Sequence, residues 1–308
     1  MKFSIITVCF NAAGKIENTI KSVLNQTYDN VEYIIVDGAS TDGTREIIEK
    51  YAGERGSDGC SVSVKFISEP DRGLYDAMNK GVRMASGDYV EFLNAGDELY
   101  DENVLKKVAE RIKEAGCKCV TEAEDKGKDE ATDKSKDKVV DGKNIYYGNI
   151  LYMNPDGTTD VRLYGKSCGK AVYFATGDCV NHQAIFAARD TLISDKAVDN
   201  TSSAASCNAL NKAFRDDEFK ICADRDWMMR ATKNGAKWIP LNETVVKYDL
   251  SEESISVRDT EGLRKEERLC LKKNYPILLP VYGVFDFCRH NKTLAKILHG
   301  VYEKLYLR

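Results

Sequence analysis

No run of about 18 apolar residues occurs in this chain, so no transmembrane span is expected. The nearest approach, Pro276 to Phe287, is short and broken by Pro280 and Gly283. The N-terminus has no charged region, apolar stretch and small-residue cleavage site; Met1 and Lys2 lead straight into the apolar run Phe3 to Val8. That argues against secretion and for a cytoplasmic setting. A large excess of one charge is missing too: the formal net charge is −4, which gives no global attraction to nucleic acid. The sequence has no G-x-x-x-x-G-K-[ST] phosphate loop and no G-x-G-x-x-G after the first strand, which sets aside nucleoside triphosphatases and dinucleotide enzymes. It has no internal repeat. Its ten cysteines are scattered, and the close pair Cys117 and Cys119 has no second ligand pair after it. Reduced thiols are expected, not a disulfide scaffold or a zinc knuckle.

What is present suits a globular enzyme. The 308 residues, 43% hydrophobic and 31% charged, can bury a substantial core as one large domain with a tail. Over the first hundred residues, β-rich runs at Phe3 to Val8, Val31 to Asp37, Val62 to Ser68 and Tyr89 to Leu93 alternate with helical patterns. The helices are read at the stripe Ile16, Ile20, Val23 and Leu24, at Thr44 to Tyr51 and at Tyr75 to Ala85. This is the layout of a parallel α/β sheet with crossover helices. Residues 121–143 mix acids and lysines without an aromatic and cannot offset their own ordering entropy; with the flank from 117 they read as a disordered insertion, 117–143. Strand pattern returns at Asn144 to Met153 and at Val172 to Ala188, with Pro155 to Thr158 as a hairpin turn. Helix is expected from Asp224 to Asn234, ended by Gly235, and again from Leu263 to Arg308. The domain reading is 1–256, with a nucleotide-binding half at 1–100 and an acceptor half at 144–256, followed by a helical extension at 257–308.

In an open parallel sheet, ligands bind beyond the carboxyl ends of the strands. Polar residues follow four such ends here: Thr7, Cys9 and Asn11; Asp37 to Thr44; Glu69 to Gly73; and Asn94 to Asp97. Gly38 and Gly43 allow a tight strand-to-helix turn, and Ser40, Thr41 or Asp42 can cap the helix after it. Asp37 stands before the cap, where its carboxylate can accept from a base imide or a ribose hydroxyl. With no phosphate loop, a pyrophosphate needs another neutralising group. A divalent cation on Asp97 would serve, although an Asn-x-x-Asp turn can also be purely structural.

Four segments, Ser4–Asn11 (SIITVCFN), Tyr33–Thr44 (YIIVDGASTDGT), Asp71–Gly81 (DRGLYDAMNKG) and Gly87–Asp97 (GDYVEFLNAGD), resemble successive motifs of glycosyltransferase family 2. The resemblance is close over residues 1–100. It continues more loosely to about residue 256, through Asn181-His182-Gln183 and Ala223 to Trp227. It implies a GT-A type fold, an inverting reaction, a nucleotide-sugar donor and a divalent metal, Mn2+ or Mg2+. By that resemblance Thr7 and Arg72 lie near the nucleotide and Asp37 holds the base, with Asn11 and Asn79 counted in the same donor site. Asn94 and Asp97 fall on the D-x-D-type metal motif. The motif is degenerate: Asn94 replaces its usual first carboxylate and Gly96 falls where many members place another, so Asp97 is the principal metal ligand. Asp224 falls on the segment that supplies the catalytic base, with Asp226 in reserve, and either could instead cap the helix at Trp227. His182 lines the acceptor site or orients a neighbouring carboxylate. Many members carry a further histidine after the catalytic helix; Val245 to Ser256 has none, which leaves a third protein ligand to the metal in doubt.

The tail places Arg289, Lys292, Lys296, Lys304 and Arg308 among Leu294, Ile297, Leu298, Val301, Leu305 and Leu307. Such a basic amphipathic segment suits the inner face of an anionic membrane with a lipid-linked acceptor, or packing on its own domain or a second subunit. The reading is a non-processive transferase of surface polysaccharide or glycoconjugate assembly, moving one sugar, with UDP-sugars favoured, to a glycan or lipid-linked hydroxyl. The alternatives are a catalytically silent nucleotide-sugar or glycan-binding module and a sugar nucleotidyltransferase. The second would need a Gly-rich basic loop of which Asn11 to Lys15 is a poor version.

Overall fold

The computed structural model describes residues 1–52, 62–124, 143–193, 212–250 and 259–289. β1 (Phe3–Cys9) and β2 (Val31–Asp37) are buried at every position. Strands covered on both faces are mostly apolar on both, which is why these read as near-continuous runs and not as alternating ones, with Ser4, Thr7 and Glu32 as buried polar exceptions. They pair in parallel, with β3 (Ser63–Ser68) beside β2 and β4 (Tyr89–Phe92) beside β1. The crossovers are α1 (Ile16–Leu24), α2 (Thr44–Tyr51) and α3 (Leu74–Met84). In α1 the expected stripe of Ile16, Ile20, Val23 and Leu24 is buried, while Glu17 and Lys21 pair at 3.0 Å on the exposed face.

Beyond β4 the sheet changes direction. After β5 (Glu98–Leu99) and α4 (Val104–Glu124), the chain forms β6 (Asn144–Met153), the hairpin partner β7 (Thr159–Arg162), β8 (Ile185–Ala188) and β9 (Lys237–Asp249). The strand order is β3-β2-β1-β4-β8-β6-β9-β5, with β7 on β6. Two pairings build the site. β8 runs antiparallel to β4, with Val90 opposite Ala187, and brings the single 3-10 turn His182–Ala184 to the end of β4. β5 starts one residue after Asp97 and pairs with the end of β9, Glu98 opposite Lys247, which delivers Asp249 beside Asp97.

The run Val172 to Ala188, expected as strand, is strand only from Ile185. α5 (Ala171–Ala175) precedes it, with Tyr173, Phe174 and Ala175 buried, and Gly177 at φ +81 follows. A short apolar run satisfies either period, and packing decided it. α4 reaches Glu124, inside the expected insertion; residues 125–142 lie outside the described ones. α6 (Arg189–Ile193), α7 (Ala223–Lys233), α8 (Thr260–Asn274) and α9 (Leu279–Arg289) complete the chain. The amphipathic tail beyond Arg289 is outside the described residues. Cys9, Cys168, Cys179, Cys222, Cys270 and Cys288 are free thiols. Among the described residues no helix is long and apolar enough to cross a membrane.

Candidate active site

The polar residues after the strands form two groups. In the first, the loops after β1 and β2 clamp each other. Asn11, at φ +50, accepts from Thr41 N at 3.0 Å and donates its own N–H to Ser40 Oγ at 2.7 Å. Ala12 N donates to Thr44 Oγ1 at 2.8 Å and Ala13 N to Asp42 Oδ2 at 3.0 Å. The N-cap of α2 is Gly43, without a side-chain bond, so the hydroxyls and carboxylate here serve the loop clamp. Asp37 is fully buried. Its Oδ2 accepts from Ser68 Oγ at 2.6 Å and Ser40 N at 3.1 Å, and its Oδ1 accepts from Ser40 Oγ. Thr7 is buried as well, its Oγ1 2.9 Å from Tyr33 Oη.

Arg72 and Asn79 grip the segment that leads to α7. Arg72 remains exposed and donates to Asp76 Oδ1 at 3.1 Å and Asp216 Oδ2 at 2.6 Å. Asn79 is interior: its Nδ2 donates to Phe214 O at 2.8 Å and its Oδ1 accepts from Phe214 N at 3.0 Å. With both ends of the amide spent on backbone, Asn79 holds this segment and its expected donor contact is corrected.

The second group lines a cleft of about 660 Å³. Phe10, 65% exposed, and Lys15 are on its wall, as are Asp97, Asp249, His182 and Asp224. A chain of hydrogen bonds crosses it. Asn94 Nδ2 lies 3.0 Å from His182 Nε2, and His182 Nδ1 lies 3.0 Å from Asp224 Oδ2. A carboxylate only accepts, so Nδ1 carries the proton toward Asp224 and Nε2 accepts from the Asn94 amide. Tyr75 Oη donates to Asp224 Oδ1 at 2.9 Å and Arg225 N donates to the same oxygen at 2.8 Å. Burial alone would raise the Asp224 pKa. The hydrogen bonds from His182, Tyr75 and Arg225 N outweigh it and hold the carboxyl below its ordinary value. Asp226 points elsewhere. It is fully buried, with Arg230 Nε at 2.8 Å and Asn274 Nδ2 at 2.8 Å, so its carboxylate is committed to helix packing and the reserve-base role is withdrawn.

Asp97 is 5% exposed; its Oδ2 accepts from Gln183 Nε2 at 3.2 Å and its Oδ1 from Asp249 N at 3.2 Å. Burial pushes its carboxyl up to about 7, against the pull of those two bonds. A carboxylate so costly to ionise suits a neighbouring cation. Asn94 Oδ1 is buried without a hydrogen-bond partner among the described residues, and Asp249 adds a second carboxylate. This oxygen set fits a hard divalent ion as a partial cradle. Among the described residues no group of three His, Cys, Asp or Glu could hold a metal ion, so such an ion would draw most of its ligands from the donor's phosphates.

The strand-end rule, applied to β9 as well as to the first four strands, would have found Asp249. Phe10 was signalled by its place beside Asn11. Lys15 and Tyr75 carried no signal of their own in the sequence, because the contacts that bring them here are long-range.

A family model described as glycosyl transferase family 2 matches residues 4–187. A PGL/p-HBAD biosynthesis glycosyltransferase of Mycobacterium tuberculosis is 38% identical over 112 residues, covering 36% of this chain and 42% of that protein. The putative teichuronic acid biosynthesis glycosyltransferase TuaG of Bacillus subtilis is 39% identical over 116 residues, 37% of this chain and 43% of its own. The chain thus spans less than half the length of these curated relatives. S. aureus TarS, solved in complex with UDP-GlcNAc, superposes with a TM-score of 0.56 at 15% identity, covering 94% of this chain and 72% of that one. The mannosyltransferase PcManGT of Pyrobaculum calidifontis, solved with GDP-Man and Mn2+, gives a TM-score of 0.50 at 14% identity, over 97% and 79% of the two chains. These two likenesses establish the fold, a GT-A type sheet flanked by helices.

Proposed function

Because the chain belongs to glycosyl transferase family 2, we propose that it moves a single sugar, with inversion, from a nucleoside diphosphate sugar to a hydroxyl of a glycan or lipid-linked acceptor. One observation carries this reading. The base Asp224 and the leaving-group turn Asn94 to Asp97 open on the same cleft and are joined through His182.

In this reading Asp224 accepts the proton of the acceptor hydroxyl while that oxygen bonds to the anomeric carbon. The bond from that carbon to the diphosphate oxygen breaks, and its electron pair leaves with the nucleoside diphosphate. A divalent ion, Mn2+ or Mg2+, held by Asp97 and Asp249 would offset the charge of the departing diphosphate. His182 and Tyr75 fix the orientation of Asp224. The exposed ring of Phe10 offers a face on which a nucleobase can stack. Asp37, Thr7, Asn11 and Arg72 keep the donor loops in shape, and Arg72 remains exposed enough to meet the nucleotide.

UDP is the favoured nucleotide, and the bound UDP-GlcNAc and GDP-Man of the two fold relatives support the donor class. The relatives named for PGL/p-HBAD and teichuronic acid assembly support a glycan or glycolipid acceptor. In this reading the C-terminal part contacts a membrane surface, where α9 and the turn before it offer the exposed side chains of Ile277, Val284 and Phe287.

Calorimetric titration with UDP, GDP and dTDP, in manganese and in chelator, tests the reading on the wild-type protein, Asp97→Ala and Asp224→Ala. One nucleotide should bind, weakened by Asp97→Ala and spared by Asp224→Ala, and Asp224→Ala should abolish sugar transfer. If no nucleotide binds under any condition, the donor site is wrong. Binding that never leads to transfer would favour the silent module.

A further inference from the structure

We propose that Lys15 supplies part of the positive charge that holds the donor diphosphate, so that nucleotide binding at this site depends only partly on a divalent ion. This rests on the glycosyltransferase reading above.

Lys15 is the residue just before α1, and its side chain lines the cleft with Asp97 and Asp249. Its stem lies over the turn that carries Asp97. A Cβ built on Gly96 would stand 3.2 Å from Lys15 Cδ and 3.6 Å from Asp249 Oδ2. Gly96 has φ +104, a conformation that disfavours any side chain. The motif position where other members place a carboxylate therefore carries none, and the space above it holds a lysine stem. With Asn94 neutral, Asp97 is the one carboxylate of the turn, and an ammonium group stands beside it.

The charges can then be balanced. Asp97 and Asp249 together are matched by one divalent ion, which leaves the diphosphate's own charge to be met. Lys15 Nζ lies 3.6 Å from Asp249 Oδ2, with the lysine side chain 26% exposed. That is a loose ion pair, and an ammonium group with three donors can hold it while also donating to a phosphate oxygen. When the divalent ion is removed, the lysine remains.

The test compares wild type, Lys15→Gln and Lys15→Arg by calorimetric titration with UDP, GDP and dTDP, each in manganese and in chelator. Chelation should weaken nucleotide binding to the wild type by about tenfold without abolishing it. Lys15→Gln should cost about threefold in manganese but about thirtyfold or more in chelator, and Lys15→Arg should recover most of the chelator value. A lysine that only ties α1 to β9 would shift both conditions by the same factor, and that result overturns the inference. So does a wild type whose binding vanishes in chelator, or a Lys15→Gln that binds like wild type in both. A wild type that binds none of the nucleotides in either condition removes the glycosyltransferase reading, and the role of Lys15 with it.

Discussion

Glu91 lies in β4 opposite Ile5 of β1, fully buried, and neither carboxyl oxygen has a hydrogen-bond partner among the described residues. Burial, and then the charge of Asp97, push its pKa well above the ordinary 4.5. For an acid whose folded pKa is raised, the contribution to stability is complete below the unfolded value and is lost as pH climbs from there through the folded one. Glu91→Met keeps the length of the side chain and removes that loss. The variant should melt several degrees higher near pH 8, by about 2 kcal/mol, and show a smaller gain near pH 4, where the carboxyl is protonated in both states. Thermal melts across that range decide it, and a destabilised variant at the upper end would mean that the carboxyl has a partner worth more than its burial costs. Asp224 behaves in the opposite sense. His182 and Tyr75 keep it ionised despite burial, so it is ready to take a proton but only weakly basic. Asp224→Asn should lower turnover by about a thousandfold or more with nucleotide affinity within about twofold. His182→Ala should lower turnover less, by about tenfold to a hundredfold, and move the acid limb of the pH–rate profile upward by about one unit. An unmoved acid limb would separate His182 from the base.

At the scale of elements, the entry to α7 is held from outside. The backbone N–H groups of Lys220, Ile221 and Cys222 all donate, each at 2.9 Å, to the carboxylate of Glu266 on α8. Bonds to a charged acceptor are the strong ones, and α7 carries Asp224 in its first turn. Glu266→Ala should cost about 2 kcal/mol of stability and, on the proposed role of Asp224, reduce turnover more than nucleotide affinity, because Asp224 shifts while the donor loops do not. Thermal melts and steady-state kinetics together check this, and an unchanged melting temperature would sink it. None of this linkage was legible in the sequence, since Glu266 sits in an ordinary charged helix and its donors lie 44 to 46 residues away. β1 and β2 were legible because strands buried on both faces are mostly apolar on both, and β6 by its β-rich aromatic and branched residues. The helical turn at Tyr173 and Phe174 was not, because five apolar residues fit either period until their partners are known. Asp97 and Asp224 could be read as site residues from motif and order. Asp249 was within reach of the strand-end rule, but its place beside Asp97 depended on the pairing of β5 with β9, and Lys15 joins them only through long-range packing, which no local pattern encodes.

At the scale of the whole molecule, the expected helical extension after residue 256 shares its core with the rest of the chain. The hydrophobic core runs without a break from β1 to Cys270, Leu271 and Tyr282, and α8 supplies polar closure as well as apolar cover. Arg225, 3% exposed, has its guanidinium on Glu267 Oε1 at 2.8 Å and on the carbonyls of Phe174, Gly177 and Asp178. Tyr282 Oη donates to the other oxygen of Glu267 at 2.9 Å. Ending the chain at residue 256 would remove Glu267 and leave a buried guanidinium unpaired, a cost of about 3–5 kcal/mol. It would also strip Asp226 of Asn274 and expose the face of α7 that packs on Cys270 and Leu271. A domain of this size has about 5–15 kcal/mol in total, so these losses together should leave residues 1–256 without a cooperative fold. Calorimetry of the full chain should show one transition that includes α8, and the 1–256 fragment should show none and bind no nucleotide. A fragment that melts cooperatively and keeps the full chain's nucleotide affinity would make the last helices an appendage to a domain that ends at 256.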